Sequence, residues 1–373
     1  MEQEDKELYQ EILVEKEDVG QNLMDDPFNP AAIDIDTKSP TLSLLITRME
    51  TTPPEIDLYP DFQRKDDLWD AGKQSRLIES ILINFPLPAF YFDGTDDNKW
   101  LVVDGLQRLS AIRNFVINKT LILSELEFLK DLNGETYDTL PRSLQRKIEE
   151  TQIVAYIIKP GTPPKVKYNI FRRINTGGLV LEPQEIRHAL NQGLPAKFVA
   201  ELAELQEFKQ VTEKKISSER MLDREFVTRF IAFYMNEPES YTPDLDTFLN
   251  NSMAQINKLS ESDIIKMKQD FIQSMIASKD IFGNWAFRKA DLYPWKRKPI
   301  NKALFEVWSV NLAKLNNNQR NVLISRKEDL MNSFAEMMRS DAKFIRSITS
   351  GTGGKPEVIE RFSKIKSFIN SFI

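Results

Sequence analysis

The chain of 373 residues contains no cysteine and a single histidine, His188. The first absence excludes disulfide frameworks, thiolate nucleophiles and zinc sites built on sulfur. The second excludes paired-histidine metal sites and argues against an HNH-type nuclease centre, which needs an imidazole to activate water. His188 follows Ile186 and Arg187 on a predicted helix, where a structural role is the plainer expectation. No run approaches the ~20 uninterrupted apolar residues of a membrane-spanning helix. The acidic start lacks the basic n-region of a signal peptide. These absences point to a cytoplasmic protein with no membrane partner.

What is present is ordinary in amount and uneven in placement. Hydrophobic residues make up 41% and charged residues 28%, as in soluble globular proteins. A chain of this length exceeds what one core usually supports, so two domains are expected. The net charge of −6 hides a split: residues 1–40 hold twelve Asp or Glu against three lysines, and the other 333 residues hold 47 basic against 44 acidic. Residues 1–40 are therefore expected to form an acidic, partly disordered arm, which could also mask a basic surface or dock a partner.

Periodicity divides the rest. "TLSLLITRM" suggests a short helix, "PPEIDLYPDFQR" an extended segment, and the spacing of Trp69, Leu77, Ile78, Ile81 and Leu82 an amphipathic helix between Asp66 and Phe85. Strands are expected at Ala89–Phe92, Lys99–Val103 and Ile153–Ile158. "KVKYNIFRRINTGGLVLEPQEIRHAL" reads as a helix ended by Gly177 or Gly178, then a helix with Pro183 in its first turn. From about Lys197 onward the period is helical, broken at 237–243, 293–299 and 350–356. The expectation is an α+β fold: a mixed domain over 41–195 followed by an all-α domain over 196–373.

One stretch, "WLVVDGLQRLSAIRNF", stops a strand at Asp104, breaks at Gly105 and starts a helix with Arg108 in its first turn. The helix N-terminus carries exposed N–H donors and partial positive charge, so a cation there calls for a negative partner. A phosphate would serve: Gly105 admits a close approach, the N–H groups of Leu106, Gln107 and Arg108 can point at oxygens, and the guanidinium can close a bidentate pair. The plainer alternative is a β-to-α turn whose arginine faces water.

"VVDGLQRLSAI" resembles the DGQQR motif of the GmrSD N-terminal domain family, and its Gly105, Arg108 and Ala111 also fit the GxxRxxA pattern of the ParB/sulfiredoxin-like fold. "YPDFQRKDDLWD" with "LIESILINFPLPAFYF", and "FRRINTGGLVLEPQEIRHAL", resemble the same family in the same order, over roughly residues 41–195. The resemblance implies binding and hydrolysis of nucleoside triphosphates and control of restriction directed at modified DNA. Carried over by position, it implicates Gln63 and Arg64, then Asp104, Gly105, Gln107 and Arg108, and finally Arg173, Asn175 and Gly178. Arg64, Arg108 and Arg173 would surround the triphosphate, Asp104 would hold Mg²⁺, and Gln107 would orient water. Without the resemblance, Arg64 and Arg173 would be expected to pair with Asp66, Asp67 or Glu182. Leu106 stands where the family has its first glutamine, which puts hydrolysis in doubt more than binding.

In the helical half, "FGNWAFRKADLYPWKRKPINK" interleaves Arg288, Lys289, Lys296, Arg297, Lys298 and Lys302 with Trp285, Phe287, Tyr293 and Trp295, a mixture suited to DNA. Its alternative is a loop with buried rings and solvated lysines. "SGTGGKPEVIERF" is not a Walker A motif, because Pro356 replaces Ser or Thr, and it reads as a flexible linker. The family often continues into an HNH nuclease, which this histidine-poor chain does not supply, so DNA cleavage would need a separate nuclease subunit. The leading expectation is an NTP-binding, hydrolysing regulator or sensor of a restriction or antiphage system. Its rivals are a DNA-binding adaptor without nucleotide turnover and a nuclease working through carboxylates alone.

Overall fold

A computed structural model describes residues 13–18, 33–58, 69–96, 98–174 and 182–373. The chain separates into two compact units. Phe28–Leu190 form one, while Asn191–Ile373 form the other together with the N-terminal stretch that ends at Pro27. The fold is α+β, and among the described residues no helix is long and apolar enough to cross a membrane.

The first unit is built on a mixed sheet of β1 (Ile35–Lys38), β2 (Ile56–Asp57), β3 (Phe90–Asp96), β4 (Lys99–Asp104) and β5 (Ala155–Ile158), in the order β1-β5-β3-β4-β2. β3 and β4 form an antiparallel hairpin, β5 lies parallel to β3, β2 lies parallel to β4, and β1 closes the far edge antiparallel to β5. Strand alternation sends Phe90, Phe92, Val102, Ala155 and Ile157 to one apolar face. That face is covered by α1 (Leu42–Glu50), α2 (Ala71–Leu82), α3 (Leu106–Ile112) and α4 (Arg142–Glu150). The opposite face carries Tyr91 stacked on Tyr156, and Asp93, whose carboxylate takes the ammonium of Lys167 at 3.3 Å. Lys167 belongs to α5 (Pro164–Ile174), which packs against α6 (Pro183–Leu190).

The predicted strands and helices reappear with shifts of a few residues, though the helix end expected at Gly177 or Gly178 lies outside the described residues; β1, β2 and α4 are additions. β1 lies inside the acidic stretch and β2 inside the proline-punctuated one, where polar composition hides a short edge strand. α2 starts at the N-cap Asp70, which accepts the Lys73 N–H at 2.7 Å, and it buries Leu77, Ile78, Ile81 and Leu82. The same helix also buries Glu79, which is 3% exposed. Its carboxylate accepts the N–H groups of Glu127, Phe128 and Leu129 at 3.1, 2.7 and 2.7 Å.

The second unit is helical: α7 (Leu194–Glu204), α8 (Gln206–Val211), α9 (Leu222–Met235), α10 (Leu245–Gln255), α11 (Glu261–Phe282), α12 (Lys302–Ala313), α13 (Asn317–Ser325), α14 (Lys327–Ser340), α15 (Ala342–Ser347) and α16 (Lys355–Asn370). α12 is buried almost all round, the mark of a central helix. It packs against α9, α11 and α16, with Trp308 in edge contact with Phe282, Phe334 and Phe368. The segment expected as a flexible linker is packed instead. Thr352 is buried, Gly353 O accepts the Tyr241 hydroxyl at 2.6 Å, and Thr352 O accepts from Arg361 at 2.6 Å. The described part of the acidic arm is likewise not a solvated tail, because Leu13–Asp18 lie along this unit, paired to Ile300.

Burial pushes the Glu79 carboxyl pKa up, but the three backbone N–H donors outweigh it and hold it below the ordinary carboxylate value. Glu79→Ala strands those donors and should destabilise the first unit by about 3 kcal/mol at pH 7. Because the folded value is depressed, this stabilisation is full above about pH 4.5 and fades as pH falls through the folded-state value. Urea unfolding of wild type and variant at pH 7 and pH 3.5 checks it. A gap that stays undiminished at the lower pH would show that the carboxylate charge does not pin the loop.

Candidate functional site

β4 delivers Asp104 to the sheet edge, and the chain turns at Gly105 with φ +103° and ψ 8°. Glycine is required there twice over. The backbone is left-handed, and a Cβ would lie 2.5 Å from Cδ1 of Phe90. α3 follows at once and continues without a break into a π-helical turn over Arg113–Ile117.

Arg108 turns inward. It is 8% exposed; Nη1 donates to Pro88 O, and Nη2 donates to Ala89 O and to Asp104 Oδ2, each at 3.1 Å. The guanidinium also lies 4.4 Å from the centre of the Phe90 ring. Burial lowers its pKa, and Asp104 and Tyr91 oppose that. The negative partner called for by a first-turn cation is therefore Asp104, four residues earlier, and the expectation of an arginine held open for a phosphate or facing water gives way to one that ties β4, α3 and the approach to β3 together. Beside it, the Tyr91 hydroxyl has a raised pKa, first through burial and then through Tyr156 and Asp104.

Gln107 accepts the Trp69 N–H through Oε1 at 3.3 Å. Leu106 is half-buried and packs against the apolar core. Gln63 and Arg64 fall in 59–68, and Asn175 and Gly178 in 175–181, outside the described residues. The flanks of 59–68 are described: β2 runs beside β4, pairing Ile56 with Trp100, and Trp69 reaches Gln107. Arg173 lies exposed in the last turn of α5, and none of the described contacts joins it to the β4–α3 turn. Asp104, Gly105, Gln107 and Arg108 are thus brought together, and Arg173 is not seen to join them.

Sequence reasoning passed over two features. The stacked Tyr91–Tyr156 pair flanks Asp104, which faces Tyr91 across the β3–β4 ladder. In α5 and α6, Asn169, Gln184, Glu185, Arg187 and His188 are all buried, with Arg187 Nε donating to Gln184 at 2.8 Å and Glu185 accepting the Glu182 N–H at 2.7 Å. The signal for the second was present, since polar residues fill the inward positions of "PQEIRHAL".

In the helical unit the basic stretch pairs mostly with the chain's own carboxylates. Arg288 and Arg297 both donate to Glu213, Lys289 to Glu15, Lys298 to Asp291 and Lys302 to Glu225. Burial raises the Glu213 carboxyl pKa, but Arg297 and Arg288 outweigh it and hold it low. Phe287 is buried and Trp285 packs edge-on to Tyr293. Trp295 is 88% exposed, and Lys296 beside it is exposed.

The first unit is therefore an α+β domain organised around a strand–glycine–helix corner with a carboxylate and an inward arginine. Residues 47–192 match the model of a family described as GmrSD restriction endonuclease, N-terminal domain, the family that the three motifs of this stretch resemble. No curated protein and no solved structure matches the chain significantly.

The fork at Arg108 leads to a stability prediction. Arg108→Ala leaves two carbonyls and a carboxylate without their donor and should lower the stability of the first unit by about 3 kcal/mol. Arg108→Lys keeps the charge without the planar fork and should recover less than half of that loss. Thermal and urea unfolding read both, and an unchanged midpoint for Arg108→Ala would rule out the structural role.

Proposed function

We propose that residues 28–190 form a nucleoside-triphosphate-binding module that regulates, or senses for, a DNA restriction system. The observation that carries this reading is the meeting of two family motifs. The strand leading into 59–68 runs beside β4, and Trp69, just after that segment, donates to Gln107 in the first turn of α3. The described flanks of the segment bearing Gln63 and Arg64 thus lie beside β4, at Trp100 and Leu101, and at the first turn of α3.

In this reading the β4–α3 turn supplies first-turn N–H groups to phosphate oxygens. Arg108 acts as a positioning residue that holds the turn. Arg64 and the exposed Arg173 supply the cations, and Asn175 and Gly178 line the same ligand. Asp104, with its side chain 24% exposed, would hold a magnesium ion carried by the phosphates, since Mg²⁺ takes one or two carboxylates together with phosphate oxygens. Among the described residues no three ligating side chains gather. Gln107 would orient the attacking water. Contact with DNA is assigned to Trp295, as a stacking surface, with Lys296 beside it, because the neighbouring cations answer the chain's own carboxylates. Cleavage rests with a separate nuclease subunit.

A second reading, a binding module without turnover, is favoured by Leu106, whose packing against the core replaces a polar group at the mouth of the turn. Titration calorimetry with the four triphosphates and Mg²⁺, followed by phosphate release with and without DNA, separates the two. Arg173→Ala should weaken the preferred triphosphate by ~10–100-fold, the loss of one charge-assisted contact, and leave the unfolding midpoint unchanged. Equal affinity of wild type and variant removes Arg173 from the site. Leu106→Gln should raise turnover while the dissociation constant moves little, because a water-positioning group acts mainly in the transition state. Flat turnover would make Leu106 a packing choice.

A further inference from the structure

The N-terminal strap has the geometry of a bound peptide. Leu13–Asp18 lie extended against the helical unit, with the Glu15 N–H donating to Ile300 O at 2.8 Å and the Ile300 N–H donating to Leu13 O at 3.0 Å. Val14 bridges Ile300 in parallel, and the other side of Ile300 is bridged by Arg288, so the strap adds an edge to an existing pair. At its far end Asp18 O accepts the Thr352 N–H at 2.9 Å. This is strand addition, in which main-chain bonds give affinity and side-chain sockets give specificity.

Two sockets take alternate side chains. Glu15 is held by Lys289 and by Asn301 Nδ2 at 3.0 Å. Glu17 enters deeper, where Arg229 forks onto both of its oxygens at 3.1 and 2.5 Å and Thr352 Oγ1 donates at 2.7 Å. Burial raises the Glu17 carboxyl pKa, but Arg229 and Lys302 outweigh it and keep the group ionised. Lys16 and Asp18 are exposed. Val14 is the strap's apolar anchor on the core, and Leu13 is 38% exposed.

The charges of the groove make the strap separable from the fold. Arg229 is also paired to Glu225 and Glu306, Arg361 to Glu306, and Lys302 to Glu225, and none of these carboxylates belongs to the strap. With the strap out, four cations (Lys289, Arg229, Lys302, Arg361) face two carboxylates, a surplus of two that Glu15 and Glu17 neutralise. An empty groove leaves both arginines with a carboxylate, opens Lys289 by removing Glu15, and attracts two carboxylates spaced two residues apart.

We propose that this groove is a docking site for an extended acidic peptide of Glu-x-Glu pattern, filled in cis by the chain's own Leu13–Asp18 segment, which a partner's segment of the same pattern displaces. The cis segment competes at the effective concentration of a tethered ligand, so the site binds strongly in trans only when the cis carboxylates are removed or outcompeted.

The test uses the full chain carrying E15Q and E17Q, and a fluorescent peptide of the sequence EILVEKEDVG. The peptide should bind the double variant at least ~10-fold more tightly than wild type. Changing both of its docking glutamates to glutamine should abolish binding, and Lys289→Met in the double variant should weaken it ~10-fold. A folded double variant that ignores the peptide overturns the proposal. Should the variant not fold, hydrogen exchange on wild type decides. Amides of Glu15, Ile300 and Thr352 should open together, at least ~100-fold faster than that of Phe305 in α12 and without denaturant dependence. Exchange in step with α12, through global unfolding alone, shows a permanent clip and overturns the exchangeable site.

Discussion

The organisation of the first unit depends on one guanidinium. Arg108 reaches from the first turn of a helix to the two carbonyls that precede β3 and to the carboxylate that ends β4, so a single planar group sets the angle between strand, turn and helix. Gly105 makes room for it by letting the backbone pass Phe90, and the Phe90 ring in turn lies under the guanidinium. A ligand at the corner, as proposed above, would meet a turn already braced by these contacts, the condition under which backbone donors are most effective.

The helical unit solves a related problem with the opposite geometry. Glu306, fully buried on α12, is shared by Arg229 of α9 and Arg361 of α16. A buried carboxylate is tolerated only when its oxygens are all answered, and here each oxygen has its own arginine. The helices around α12 are therefore joined by a charge-balanced centre as well as by aromatic packing, and the strap docks on the margin of that centre.

Much of this arrangement was legible in the residues. The strand–glycine–helix corner at 104–108, the amphipathic face of α2 and the helical breaks at 237–243, 293–299 and 350–356 follow from periodicity and turn chemistry, and the match of 47–192 to a family model agrees with its motifs. Other features were hidden for physical reasons. An arginine in a first turn looks exposed because its acceptors, the carbonyls of Pro88 and Ala89, carry no side-chain signal. Glu79 reads as the polar edge of a helix although it is the anchor of a loop some fifty residues on. Glu15 and Glu17 read as solvated acid because their partners lie at positions 289 and 229. Leu106 was visible as a departure from the motif, whereas its packing against the core was not.

The sequence distances inside the charge centre bear on time rather than stability. Arg229 reaches 212 positions back to Glu17 and 77 forward to Glu306, and Arg361 reaches 55 back to the same glutamate. Helices form from local contacts and form early, but pairs this far apart close only after the chain between them is ordered. Interactions absent from the transition state slow unfolding and leave the folding rate nearly unchanged. The two pairs to Glu306 accordingly bear on how long the helical unit stays native once made rather than on how quickly it is made, while the strap pair to Glu17 can open without it.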